Sequence, residues 1–172
     1  EGVLECVRYA IEAMGRPLPE DRNLLKFIGP PLQNSFMQYC GLSREEAQEA
    51  LRLFREQYVP VGQFKNRPAP GIADMMGRLK ARALASSKAE SQCVSICERV
   101  GFAPHLAVIA GSSESRDQSK ADVIREAMAR LGLTDPRRAL MVGDRKYDVE
   151  GAGACGMDCA GVEFFGYAPP GE

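Results

Sequence analysis

Four side chains stand where apolar runs give way to helical patterns: Ser86, Lys120, Asp144 and Asp148. A serine hydroxyl, with the backbone N–H groups at the start of the next helix, can hold a phosphate oxygen. A lysine that opens a helix can place one positive charge on the same phosphate. Asp144 follows the run Leu140-Met141-Val142-Gly143, and Asp148 comes four residues later, in the expected first turn of the next helix. A carboxylate at the C-terminal end of a buried strand lies where open α/β sheets bind ligands. Two carboxylates so placed suit a hard, oxygen-seeking cation such as Mg²⁺. Hydroxyl, ammonium and metal-binding acids together outline a phosphoryl-transfer site, which needs charge neutralisation and positioning and little else. Taken singly, each residue has an ordinary explanation. Ser86 and Asp144 fit helix N-caps, Asp148 fits a first-turn acid facing the helix dipole, and most lysines are simply solvated. Their recurrence on successive strand ends favours the chemical reading.

The elements that must carry these residues show as changes of periodicity. After a stretch punctuated by Pro60, Gly62, Pro68, Pro70 and Gly71, helix 72–81 leads to the short run Ala83-Leu84-Ala85, ending in Ser86-Ser87-Lys88. Helix 89–100 precedes the run Leu106-Ala107-Val108-Ile109-Ala110, ending in Gly111-Ser112. Helix 119–132, strand 138–143, helix 149–156 and strand 159–165 continue the alternation, which predicts a parallel sheet with helices on both faces. The first sixty or so residues are instead helical. Val3, Leu4, Val7, Ala10, Ile11 and Met14 mark a helix over 2–15, and a short one follows over 20–27. Gly29-Pro30-Pro31 and Gly41 bound a helix over 31–40, and Ser43 with Glu46 forms a capping-box signature for a helix over 44–58. The expectation is an α/β protein with a separate helical module at its start.

Composition narrows the function classes. With 172 residues, 45% hydrophobic and 26% charged, the chain has the size and balance of an ordinary globular protein. A net charge of -1 gives no basic field to recruit nucleic acid. No apolar run is long enough to span a membrane, and no signal peptide is visible after Glu1, so a cytoplasmic location is expected. The six cysteines form no CxxC pair, and there is one histidine, His105, so zinc is poorly supported. Cys93 and Cys97, like Cys155 and Cys159, read as small packing residues kept reduced.

Ser86-Ser87-Lys88, then Ser119-Lys120-Ala121-Asp122-Val123-Ile124, then Leu140-Met141-Val142-Gly143-Asp144-Arg145-Lys146-Tyr147-Asp148 resemble the second, third and fourth motifs of the haloacid dehalogenase superfamily. The branch most similar is the phosphoglycolate-phosphatase-like one. Phe27-Ile28-Gly29-Pro30-Pro31-Leu32 with Ser35-Phe36 resembles its cap signature, and Gly161-Val162 with Gly166-Tyr167 its last strand and loop. The resemblance implies a Rossmann-like parallel-sheet core over 66–172 with an inserted α-helical cap over 1–65. It implies a Mg²⁺-dependent phosphate-monoester hydrolase of small phosphorylated metabolites, acting through a phospho-aspartate. Ser86 would bind the transferred phosphate, Lys120 would stabilise the intermediate, Asp144 would bind Mg²⁺ and Asp148 would support the metal site. Ser87, Lys88 and the Gly29-Pro30-Pro31 turn are secondary candidates for lining the pocket. The cap would close over the core, exclude water and select substrate.

Two departures from the family pattern stand out. The family's nucleophile is the first aspartate of an Asp-x-Asp-Gly-Thr run at the end of an N-terminal strand, and its second aspartate serves as acid and base. No such run exists here, and Asp21 and Asp74 do not follow apolar strands. The chain opens at what resembles the first cap helix, so the first core strand and the nucleophile are expected before Glu1. The run from Leu79 to Ala85 is also short for a helix end, a turn and a strand, which reads as a few residues missing there. The expected partner is a small phosphomonoester, with no nucleic acid and no membrane, and the assembly a monomer or dimer. Phosphoglycolate leads as substrate; 5′-nucleotides and sugar phosphates come next, and a phosphomutase after them. A non-catalytic phosphate-binding relative is the alternative of a different class. A phospho-acceptor signalling domain is disfavoured by the size of the helical insertion.

Overall fold

The computed structural model describes residues 2–79, 82–113, 118–163 and 168, with all their side chains except that of Arg22. The chain divides into two compact units, Glu1–Arg67 and Pro68–Glu172.

The first unit is built on one long helix. α1 (Gly2–Ala13) turns Cys6, Val7, Ala10 and Ile11 inward on a single stripe. α2 (Asp21–Leu24) tightens into a 3₁₀ turn over Leu25–Phe27. α3 (Leu32–Cys40) starts directly after Pro31 and stops at Gly41, whose φ of 66° suits glycine. α4 (Arg44–Tyr58) is fixed at its start by reciprocal capping. Ser43 Oγ accepts from the Glu46 N–H at 3.2 Å, and Glu46 Oε2 accepts from the Ser43 N–H at 2.8 Å. α1 and α3 both pack on α4. Phe27 and Phe36 are the largest fully buried side chains and meet edge to face with centroids 5.2 Å apart. Each contributes roughly 1.5–3 kcal/mol by leaving water.

The second unit alternates helix and strand: α5 (Ile72–Arg78), β1 (Ala83–Ala89), α6 (Glu90–Arg99), β2 (Val108–Ser112), α7 (Lys120–Arg130), β3 (Leu140–Gly143), α8 (Lys146–Ala154) and β4 (Asp158–Gly161). Among the described residues the strands form two parallel pairs, β1 with β2 and β3 with β4. Val108 and Ala110 of β2 pack with Val123 and Ala127 of α7, and Ala85 of β1 joins them. On β3 exposed and half-buried residues alternate. Leu140 and Val142 are 59% and 56% exposed, whereas Met141 between them is half-buried.

The fold class is the one expected, and several boundaries shift for local reasons. β1 does not stop at Ala85. It runs on through Ser86 to Ala89 and passes into α6 with no intervening loop. Ser86 pairs with Gly111, and the next matched pair is Ala89 with Ser112, so Ser87 and Lys88 bulge from the ladder. β2 begins at Val108, because Ala103–His105 take a 3₁₀ turn instead. α8 begins at Lys146 rather than at residue 149, because the Asp148 carboxylate accepts from the Arg145 N–H at 3.2 Å and closes the first turn. Lys80-Ala81, Phe164-Phe165 and Gly166-Tyr167, on which parts of the expected connection, last strand and final loop fall, lie outside the described residues.

Candidate phosphate and cation site

α7 is aimed by its own cap. The Ser119 hydroxyl accepts from the Asp122 N–H at 3.3 Å, while the Asp122 carboxylate accepts from the Ser119 N–H at 3.0 Å and from its hydroxyl at 2.6 Å. The hydrogen bonds from Ser119 hold the Asp122 carboxyl below the usual carboxylate range. An S-x-x-D spacing ahead of an apolar run is visible in the sequence and announces this cap.

From the first turn of α7, Lys120 reaches β1 and the first turn of α8. Its Nζ donates to the Ala85 carbonyl at 2.7 Å, beside Ser86 at the end of the regular part of β1. The same ammonium lies 2.7 Å from Asp148 Oδ1, with both side chains nearly buried at 13% and 12% exposure. Among the described residues these are its two polar partners, leaving one of three ammonium donors for a ligand.

Two glycines set the closeness of this pair. A Cβ on Gly143 would collide with the Asp148 side chain, so the bare backbone at the end of β3 is the seat of that carboxylate. A Cβ on Gly151 would lie 2.7 Å from Lys120 Cγ and 3.0 Å from its Cβ, so the lysine stem runs across α8 at a residue without a side chain. Sequence reading gave these glycines no role. The signal was their position, one closing an apolar strand and one on the inner face of the following helix.

The two acids expected to share a cation part company. Asp148 engages Oδ1 with Lys120 and Oδ2 with the Arg145 N–H. Asp144 is half-buried and, among the described residues, makes no hydrogen bond or ion pair. Mg²⁺ keeps most of its waters and takes one or two carboxylates together with substrate phosphate oxygens. Asp144 fits that demand. Among the described residues no three acidic, histidine or cysteine side chains cluster to hold a metal by themselves.

Ser86 is half-buried, and its Oγ accepts from the Lys88 N–H at 3.2 Å. Ser87 is exposed, and its carbonyl accepts from the Ser112 hydroxyl at 2.9 Å, which pins the bulge. Lys88 is half-buried. The Gly29-Pro30-Pro31 turn belongs to the helical unit, where Gly29 has a φ of 114°. The second unit therefore brings together Lys120, Asp148, the Ala85–Ser86 segment and the Gly143–Asp144 segment.

The sequence profile of the haloacid dehalogenase-like hydrolases matches residues 1–162. The chain belongs to that family. It is 36% identical over 162 residues to the protein named tyrosine-protein kinase PtkA in Mycobacterium tuberculosis, covering 91% of this chain and 55% of that one. It is 32% identical over 169 residues to a 5′-nucleotidase of Pseudomonas aeruginosa, covering 95% of this chain and 76% of that one. Proteins named phosphoglycolate phosphatase also match. The crystal structure of a predicted phosphatase from Clostridium acetobutylicum aligns with a TM-score of 0.89 at 32% identity, covering 98% of this chain and 80% of that one. The chain thus spans about half the length of the PtkA proteins it matches.

Proposed function

We propose that the full-length protein is a Mg²⁺-dependent phosphate-monoester hydrolase of small phosphorylated metabolites. The observation that carries this reading is the Lys120 ammonium, held between the Asp148 carboxylate and the Ala85 carbonyl. It has a donor to offer beside a serine hydroxyl at one strand end, and a second strand end carries Asp144, uncommitted among the described residues.

In this reading the Ser86 hydroxyl and the third N–H of Lys120 donate to oxygens of the transferred phosphoryl group. Asp148 acts through Lys120, fixing where its charge lies, and Asp144 would hold Mg²⁺ jointly with the phosphate. Bound Mg²⁺ supplies Lewis-acid neutralisation of the phosphoryl oxygens. The attacking group is an aspartate carboxylate preceding Glu1, as the motif resemblance implies. Its oxygen bonds to phosphorus as the ester oxygen leaves and takes a proton from a second acid. Water then adds to the acyl phosphate, releasing inorganic phosphate and regenerating the carboxylate. The helical unit 1–65 serves as the cap that admits substrate.

The test is hydrolysis of a generic aryl phosphate by the full-length protein. Turnover is expected only with Mg²⁺, and Asp144→Asn is expected to abolish it. Full activity in EDTA would rule out the metal assignment, and turnover by residues 1–172 alone would rule out the placing of the nucleophile. The codons upstream of Glu1 should encode an apolar run ending in Asp-x-Asp-Gly-Thr; their failure to do so favours a non-catalytic phosphate-binding role. The motif resemblance puts phosphoglycolate first among substrates. The 32% identity to a 5′-nucleotidase across 95% of this chain favours nucleoside monophosphates as the second reading. A panel of phosphoglycolate, nucleoside monophosphates and sugar phosphates separates them. Because one relative is named a tyrosine kinase, ATP with a tyrosine peptide belongs in the same panel.

A further inference from the structure

Ser87 and Lys88 bulge from the ladder of β1 and β2, between the matched pairs Ser86–Gly111 and Ala89–Ser112. The peptide that joins them is gripped on both sides. Its carbonyl, from Ser87, accepts from the Ser112 hydroxyl at 2.9 Å. Its N–H, from Lys88, donates to Ser86 Oγ at 3.2 Å. The peptide is trans, and a trans peptide is planar, with its C=O and N–H pointing opposite ways. Fixing the direction of the carbonyl therefore fixes the direction of the N–H. Ser112, the last residue of β2, thereby aims a hydrogen bond at Ser86 across a peptide that belongs to neither.

What that hydrogen bond does follows from the chemistry of a hydroxyl, which has one proton and two acceptor sites. With the Lys88 N–H at one acceptor site, the Ser86 proton turns away from Lys88 and is left to donate elsewhere. Hydrogen bonds in a chain also polarise one another. A carbonyl that accepts makes its N–H a better donor, and a hydroxyl that accepts gives its proton more readily. The relay thus ends in an O–H suited to a charged acceptor such as a phosphate oxygen. The flanks of the bulge are fixed independently. The Ala85 carbonyl accepts from Lys120 at 2.7 Å, and the Lys88 carbonyl oxygen lies 2.7 Å from where a Cβ on Gly111 would be. Loss of the Ser112 hydroxyl should therefore free one peptide plane without releasing the strand.

We propose that Ser112 is a positioning residue for Ser86, acting through the Ser87–Lys88 peptide to direct the Ser86 hydroxyl at the substrate phosphate. This rests on Ser86 binding phosphate in the reaction proposed above. Orientation of a binding group acts on ground and transition states alike, so the effect falls on KM rather than on kcat.

The experiment uses the full-length protein with an aryl phosphate as substrate and inorganic phosphate as competitive inhibitor. Ser112→Ala is expected to raise KM and the phosphate inhibition constant together by about 3- to 10-fold, the size of one hydrogen bond, with kcat within about twofold of the parent. Ser112→Thr keeps the hydroxyl and is expected to recover most of the loss. In a Ser86→Ala background, Ser112→Ala is expected to have no further effect on either constant, because the group it positions is gone. Without substrate, the Lys88 amide of Ser112→Ala is expected to lose protection from hydrogen exchange while the paired amides of β2 keep theirs. Where Ser112→Ala does not fold, Ser112→Cys offers a much weaker donor of similar shape and carries the same expectations. Unchanged constants, unchanged exchange at Lys88, or a loss that persists undiminished in the Ser86→Ala background would each overturn the proposal. The parent assignment is read separately. Ser86→Ala alone without effect on either constant removes Ser86 from the phosphate site and takes this role for Ser112 with it, whereas a loss in Ser86→Ala with none in Ser112→Ala overturns the role of Ser112 alone.

Discussion

Lys120 is held from two sides, and Gly143 and Gly151 decide how near its holders come. For Gly151→Ala two effects oppose each other. Alanine inside a helix gains about 1 kcal/mol over glycine, but overpacking against a fixed stem costs about 1–3 kcal/mol. The clash is with the Lys120 Cβ and Cγ, the part of the lysine least able to yield, so a net loss is expected, read as a lowered melting temperature together with reduced turnover. Asp148→Asn removes one member of a nearly buried ion pair and should cost roughly 3 kcal/mol, measured by denaturant unfolding. A surface Lys–Asp pair would cost a fraction of that. An unchanged unfolding midpoint would place Lys120 and Asp148 in solvent, contrary to their exposures of 13% and 12%.

Helix starts position the site, and they differ in how openly the sequence declares them. Ser119→Ala removes an N-cap and should cost about 1 kcal/mol, with weaker phosphate binding because Lys120 is the first residue of the helix so capped. α6 is anchored differently. Glu90 accepts from the Gly111 N–H at 3.2 Å and pairs with Arg130 at 2.9 Å, and the hydrogen bond from Arg130 holds its carboxyl below the usual range. Its folded-state pKa is thus below its unfolded one. The stability it adds is fully present above the ordinary carboxylate value and is lost as pH falls through the depressed one. The melting difference between the parent and Glu90→Gln is expected to shrink between about pH 6 and about pH 3. Periodicity read α4 to its ends, because Ser43 and Glu46 write the cap into the chain. It placed the start of α8 late, because there the closing contact comes from Asp148 to the backbone of Arg145, and a carboxylate in a first turn has no unique signature. It ended β1 early, because Ser86-Ser87-Lys88 is polar and a bulge hides its pairing with β2. The candidates Ser86, Lys120 and Asp144 were visible as strand- and helix-end residues. The embrace of Lys120 by Asp148 depends on packing between α7 and α8, elements separated in sequence by β3, which periodicity does not encode.

For the chain as a whole, charge and surface act together. The net charge at pH 7 is only -1, too small to keep molecules apart by repulsion, and β3 turns Leu140 and Val142 outward. Residues 1–172 are therefore expected to associate with rising concentration near neutral pH. Replacing Leu140 and Val142 by threonine should lower the weight-average mass in sedimentation equilibrium; no change would mean that this strand face is not the contact. The pocketed ammonium of Lys120 also has a consequence for the molecule's chemistry toward reagents. An amine-selective acylating agent meets Lys65 at 44% side-chain exposure and Lys120 at 13%, so Lys120 should be among the last lysines to label. Peptide mapping over a time course then reports whether the site is assembled without any need for turnover, and Asp148→Asn should bring that label forward.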